Sequence, residues 1–163
     1  MSDTFTAEEI EEIIQDNQDL SLERQEYFQV DRQMLKSIFD KINTCNTVTE
    51  LRQRIIRRAS YIISLIPNKQ PFREFNRHSA YATAMDFLRR NNLNLPLSTV
   101  DEERAFFNVM DRTKDKNEDD PTLSTDVENY LTSRVVDSLE RIGGKCSTIK
   151  CSYQARIFIS YSF

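Results

Sequence analysis

The sequence predicts a mainly α-helical single domain of about six helices with a small β segment at its C-terminal end. Apolar residues recur at three- and four-residue spacing over most of the chain, and Ser, Thr or Asp stand ahead of several of those runs, where helix caps are expected. The period changes to two only in the last stretch, "RIFISYSF". A chain of 163 residues is long enough for one core and short for two domains with a linker. Residues 1–163 therefore read as one domain, with a central part over about 47–112 and a C-terminal helix and β tail over 122–163.

Thr6 followed by Glu9 makes a capping box, and Ile10, Ile13 and Ile14 share a helical face, so a first helix is expected from Ala7 to about Asn17. "DRQMLKSIFDKI" repeats the pattern behind an Asp31 cap, with Met34, Leu35, Ile38, Phe39 and Ile42 on one side. The strongest signal is "TVTELRQRIIRRASYIISLIP". There Thr47 and Glu50 supply a capping box, Leu51, Ile55, Ile56, Ala59, Ile62, Ile63 and Ile66 share a broad face, and Pro67 should stop the helix.

Asn76 to Asn91 reads as the next helix, its Ala80 and Ala84 small enough for close packing. "NNLNLP" breaks the chain, and Ser98 is placed to cap a helix carrying Val100, Phe106, Val109 and Met110. After the polar loop "TKDKNEDDP", a helix from Ser124 turns Val127, Leu131, Val135, Leu139 and Ile142 inward and ends at Gly143-Gly144. The tail reads as a terminal strand, paired with "STIKCS" as a hairpin.

Lys and Arg (22) against Asp and Glu (26) make a mildly acidic molecule, which argues against general nucleic-acid or anionic-membrane binding. No run approaches the roughly 18 apolar residues of a membrane span. The N-terminus lacks the pattern of a signal peptide, so a cytoplasmic protein is expected. Cys45, Cys146 and Cys151 contain no CxxC pair and the one histidine, His78, is distant from them in sequence, which is poor zinc spacing. The thiols read as unpaired, with a Cys146 to Cys151 disulfide open in an oxidising compartment. Two glycines, Gly143 and Gly144, leave no place for a Rossmann fingerprint or a Walker A loop.

"QPFREFNRHSAYA", residues 70–82, carries the chemistry. A helix beginning near Asn76 presents unpaired N–H groups and the positive end of its dipole, a ready anion site. Glu74 at its start can hold Mg²⁺ against phosphate oxygens or simply favour the helix N-terminus; Arg73 and Arg77 can neutralise phosphate or lie in solvent.

The residue order of this stretch resembles the Fic/Doc (Fido) family motif, H-P-F-x-[DE]-G-N-[GK]-R. Pro71, Phe72, Glu74 and Asn76 match, and "RIIRRASYIISLIP" before and "AYATAMDFLRRNNLNLP" after resemble the helices that flank the family's loop. The resemblance covers roughly Thr47 to Asp101. It implies a Fido-like helical bundle that binds ATP with Mg²⁺ and transfers AMP, another nucleotide fragment or a phosphate to a protein hydroxyl. By position, Glu74 is then the metal ligand, Asn76 and nearby N–H groups hold phosphates, and Phe72 anchors the loop.

Three positions depart from the motif. Gln70 replaces the catalytic histidine and cannot take a proton. Phe75 replaces the glycine that lets backbone approach phosphate. His78 replaces the phosphate-binding arginine, while Arg77 takes the place before it, and a long guanidinium stem can still reach the phosphates from there. His78 is open to an anion-contacting or surface role as well as to that of a substitute base. "STDVEN" resembles the family's inhibitory helix at Ser124 and Glu128, whose alternative reading is a helix cap and a solvated carboxylate; Tyr81 stands where the arginine that normally pairs with that glutamate would be.

The expected function is an ATP-dependent transferase of AMP or phosphate with an impaired or lost site. The alternative is an inactive Fido scaffold that binds a nucleotide or a protein. A protein target or a regulatory partner is implied, and homo-oligomerisation is left open. A third reading, from the chain's own pattern, is a helical interaction module whose β tail adds to a partner's sheet.

Overall fold

Helix α3, Leu51–Lys69, is the element on which the others pack: Ile55, Ile56, Ala59, Ile62, Ile63, Leu65 and Ile66 are all buried along it. This is a computed structural model of the chain, and it describes residues 4–45, 48–117, 120 and 122–138. In order the remaining elements are α1 (Ala7–Glu23), α2 (Arg32–Asn43), α4 (Asn76–Arg90), β1 (Leu93–Asn94), α5 (Val100–Lys114), α6 (Thr125–Arg134) and β2 (Val136–Asp137). The fold is mainly α with a small two-stranded antiparallel sheet, in which Leu93 faces Asp137 and Asn94 faces Val136. Helices α4, α5, α6 and α2 surround α3, and α1 lies against α4. Ala80 and Ala84 are fully buried on α4, where their small side chains let it approach α3 closely.

Several boundaries differ from the sequence reading, each for an identifiable reason. Helix α1 runs past Asn17 to Glu23 because its apolar stripe continues at Leu20, and Asn17 is a buried polar member of that stripe. Pro67 does not stop α3. It removes a single N–H one turn from the end, its ring is buried, and the helix closes three residues later with Gln70 in the left-handed conformation. The α3 cap is Glu50, whose carboxylate accepts from the N–H groups of Arg52 and Gln53 at 3.1 and 2.9 Å.

Thr99, not Ser98, caps α5, with Glu102 completing the box. Leu51 and Val100, expected inward, are exposed, each the first residue of its helix and beyond the reach of the core. Helix α6 ends at Arg134, where the chain turns extended to pair β2 with β1. The described sheet thus joins the "NNLNLP" break to the residues after α6. The tail strand, Thr47, Leu139, Ile142, the glycine pair, Cys146 and Cys151 lie outside the described residues. Among the described residues no helix is long and apolar enough to cross a membrane.

Ahead of α1, Phe5 locks the N-terminal segment to the core. Its N–H donates to Asn43 Oδ1 at 2.8 Å and its carbonyl accepts from Asn43 Nδ2 at 2.9 Å. Its ring lies 4.7 Å from Phe39 and 5.0 Å from Phe87, and the Arg90 guanidinium, paired with Glu9, covers it at 4.5 Å. Removing the ring leaves a cavity between three elements. Phe5→Ala should lower the unfolding free energy by about 3 kcal/mol, and Phe5→Leu by less than about 1.5 kcal/mol, in urea titration. A loss under about 1 kcal/mol for the alanine variant would mean that this segment does not belong to the core.

Candidate functional site

The chain reverses from α3 to α4 through residues 70–75, and its backbone is held from four sides. The Asp31 N–H donates to the Pro71 carbonyl at 2.7 Å and the Arg73 N–H to the Gln29 carbonyl at 3.0 Å, an antiparallel bridge centred on Val30 and Phe72. Phe72 is buried and pins the loop to the core. The Asn76 side chain accepts from the Phe72 N–H at 3.0 Å and donates to the Phe72 carbonyl at 2.6 Å. From α1, Asn17 Nδ2 donates to the Glu74 carbonyl at 3.1 Å and to Ser79 Oγ at 2.8 Å. A polar side chain on the α1 stripe is therefore buried because it satisfies the loop.

Phe75, immediately before α4, has φ 60° and ψ 24°. This is the left-handed region, where a residue other than glycine is disfavoured by about 1–2 kcal/mol. The position is thus one that glycine suits, and a phenylalanine occupies it. No side chain caps the helix there, so the first-turn N–H groups of α4 are left to whatever lies at its start.

That start opens into a cleft of about 670 Å³. Gln70, Arg73, Glu74, Asn76, Arg77 and His78, the residues singled out from the motif, all line it. Arg24 and Glu26 from the end of α1, Tyr81 from α4, and Phe107 and Lys114 from α5 join them. Four cationic side chains, Arg24, Arg73, Arg77 and Lys114, thus face two carboxylates, Glu26 and Glu74, in an otherwise acidic protein. Gln70, Arg73 and Glu74 are exposed, whereas Asn76 and His78 are half-buried.

The cations are held in place. Arg77 Nε lies 3.1 Å from Asp111 Oδ1, with its guanidinium 5.1 Å over the Phe107 ring, and Arg73 lies 5.4 Å over Tyr27. Asn76 has its amide engaged by the Phe72 backbone, which leaves the helix N–H groups as the nearby polar donors of that segment. Burial first, and the Arg24 guanidinium second, push the His78 imidazole below its ordinary pKa of 6.5. It is neutral at neutral pH and offers a hydrogen bond to an anion, but no charge.

The described residues contain no group of three or more His, Cys, Asp or Glu side chains able to hold a metal ion by themselves. Glu74 fits a Mg²⁺ ion in a narrower sense: magnesium commonly takes one or two carboxylates, with phosphate oxygens and water completing its shell.

Ser124 and Glu128 are elsewhere. The Glu128 carboxylate accepts from Arg57 Nε at 3.1 Å through each oxygen and from Gln53 Nε2 at 2.9 Å, tying α6 to α3. Neither residue lines the cleft. Ser124 stands at the N-cap position of α6 without a side-chain capping bond, because it is buried in a non-extended conformation. Glu128 is neither solvated nor aimed at the α4 N-terminus.

Sequence reading missed Arg24, Glu26, Phe107, Lys114 and Asn17. Arg24 and Glu26 come from the turn after α1 and Phe107 and Lys114 from α5, all separated in sequence from the motif, and only the packing brings them to it. Asn17 had a signal, a polar residue recurring on an apolar face. Comparison with protein-family models, with curated proteins and with solved structures found no match to this chain.

Because the folded chain holds His78 below its ordinary value, the unfolded chain binds more protons just below pH 6.5. The associated stability is complete above that pH and is lost as pH falls through the window. The single histidine should titrate below 6.5 by NMR, and His78→Gln should flatten the fall in stability between about pH 7 and about pH 5. A midpoint above 6.5 would contradict the burial argument.

Truncating Glu128 removes the carboxylate that accepts from the half-buried Arg57 through both oxygens. Glu128→Ala should cost about 1–3 kcal/mol by chemical denaturation, and a loss under about 0.5 kcal/mol would mean that the pair does not tie α6 to α3.

Proposed function

We propose that residues 70–78 hold the phosphates of a nucleotide, and that the chain is a Fic/Doc-like protein whose transfer of AMP or phosphate to a protein hydroxyl is impaired or lost. One observation carries this reading: the uncapped start of α4 opens into a cleft lined by Arg24, Arg73, Arg77 and Lys114. Backbone donors, dipole and cations thus border one cleft, and each favours a negative charge in it. At about 670 Å³ the cleft is within the roughly 300–1,000 Å³ range of small-molecule sites.

In this reading Arg73 and Arg77 neutralise phosphate, and the α4 N–H groups bind its oxygens. Glu74 would hold Mg²⁺ jointly with those oxygens, and the ion would supply charge neutralisation and alignment. Asn17 and Asn76 fix the loop so that these groups do not reorganise when the anion arrives. Gln70 lies at the cleft beside the loop but cannot accept a proton from an attacking hydroxyl. General-base help is worth roughly 10²- to 10⁴-fold. Phosphoryl transfer relies more on positioning and electrostatics, so a Doc-like reaction would lose less than AMP transfer.

The second reading, an inactive nucleotide- or protein-binding scaffold, is favoured by two features together. Gln70 stands at the base position, and Asn76 is committed to the loop rather than to a ligand.

ATP labelled separately at the α and γ phosphates, incubated with the protein, Mg²⁺ and an extract of its source, separates these readings. Label from α alone means AMP transfer and from γ alone phosphorylation. ATP binding by calorimetry without transfer supports the nucleotide-binding scaffold, and Gln70→His should then gain transfer if the rest of the site is assembled. Neither binding nor transfer would overturn the proposal.

A further inference from the structure

The cleft has an apolar half that phosphate binding does not use. Phe75, Tyr81 and Phe107 line it together with Leu20 and Pro67. Tyr81 is buried, its ring centroid 5.6 Å from that of Phe106 and 5.7 Å from that of Phe107, so it backs the wall instead of forming its surface. Phe107 and Phe75 are half-exposed and form that surface. Phe107 carries the Arg77 guanidinium over its ring, which joins the apolar half to the cationic half at one side chain.

Phe75 is the more telling of the two. Seven other described rings pack in two groups, Phe5 with Phe39 and Phe87, and Tyr81 with Phe106, Phe107 and Tyr130, while Phe72, Phe28 and Tyr61 pack on the core outside them. The Phe75 ring has no ring partner among the described residues, and it is presented to the cleft from a left-handed backbone that disfavours it. Strained positions of this kind cluster at ligand sites. A ring held there contributes little to the core and much to the wall of the cleft.

We propose that Phe75 and Phe107 are specificity residues that contact a planar aromatic ring of the ligand, so that the cleft selects a nucleotide over phosphate-bearing ligands without a base. Aromatic contact with a nucleobase is tolerant of its sequence identity because every base has a π face. The guanidinium of Arg77, stacked on Phe107, extends the same platform toward the phosphates. This rests on the cleft binding phosphate, as proposed above. It reverses the expectation that a side chain in the glycine position only obstructs: an obstructing ring would weaken nucleotide binding, and a contacting ring strengthens it.

The two differ in sign on one substitution. The full chain is titrated by calorimetry with Mg²⁺-ATP and with Mg²⁺-tripolyphosphate, which has the phosphate chain and no base. The wild type should bind ATP at least about tenfold more tightly than tripolyphosphate. Phe75→Gly, which suits the backbone, should weaken ATP by about fivefold to tenfold and leave tripolyphosphate unchanged, whereas Phe107→Leu, which also removes the ring under Arg77, should weaken ATP by more than it weakens tripolyphosphate. Equal affinities in the wild type, or tighter ATP binding by Phe75→Gly, would overturn the ring contact while leaving a phosphate site in place. Binding of neither ligand would overturn the phosphate site as well. Circular dichroism confirms that each variant is folded before it is titrated.

Discussion

The double hydrogen bond between the Asn76 side chain and the backbone of Phe72 is the interaction on which the candidate site depends. An amide side chain can match both the N–H and the carbonyl of one residue, and here it closes the loop at the point where α4 begins. Phe72 is thereby fixed with its ring in the core, and the bridge to Val30 follows. With that residue anchored, the chain still has to turn into α4 within a few residues. It does so through a left-handed Phe75, which leaves the helix start without a side-chain cap. The exposed donors of α4 are thus a consequence of how the loop is closed.

The polar interior divides between architecture and site in a way that side-chain type does not announce. Asn68 donates to the carbonyls of Thr113, Lys114 and Lys116 and so finishes the C-terminal end of α5, which also places Lys114 at the rim of the cleft. The Arg57 and Glu128 pair joins α3 to α6 at a distance from it. Arg77 sits between these roles, fixed by Asp111 and Phe107 on α5 yet facing the cleft. A guanidinium so restrained loses less conformational freedom when an anion binds than one swinging in solvent.

Helix existence was legible in the sequence because periodicity and caps are local: Thr6 with Glu9, and Asp31 ahead of Met34, act as the pattern requires. Boundaries were less so. Pro67 looked terminal because its missing N–H is a local fact, whereas its burial among the helices is not. The motif residues do meet around one cleft, as their adjacency in sequence suggested. The rest of the lining could not be read, since Arg24, Phe107 and Lys114 carry no mark that distinguishes them from surface cations or core rings until α1 and α5 are packed. Glu128 shows the converse: a pattern match at Ser124 and Glu128 near a helix start gave no information on which neighbour its carboxylate would meet.

Asn17 gives the cleft a particular place in the order of folding. Helices α3 and α4 adjoin in sequence and can pair through short-range contacts, whereas the Asn17 bond to the Glu74 carbonyl spans 57 positions. Contacts of such separation are made after local ones, because the intervening chain must first be ordered. By this reasoning the helical hairpin and the Asn76 closure of its loop form first, and the Glu74 end of the loop gains its last restraint when α1 docks. Helix α1 thus ties the cleft to the core: its Ile14 is a core residue, while its Leu20 lines the cleft and its Asn17 holds the Glu74 carbonyl, so loss of α1 packing would disturb the site as well as the interior.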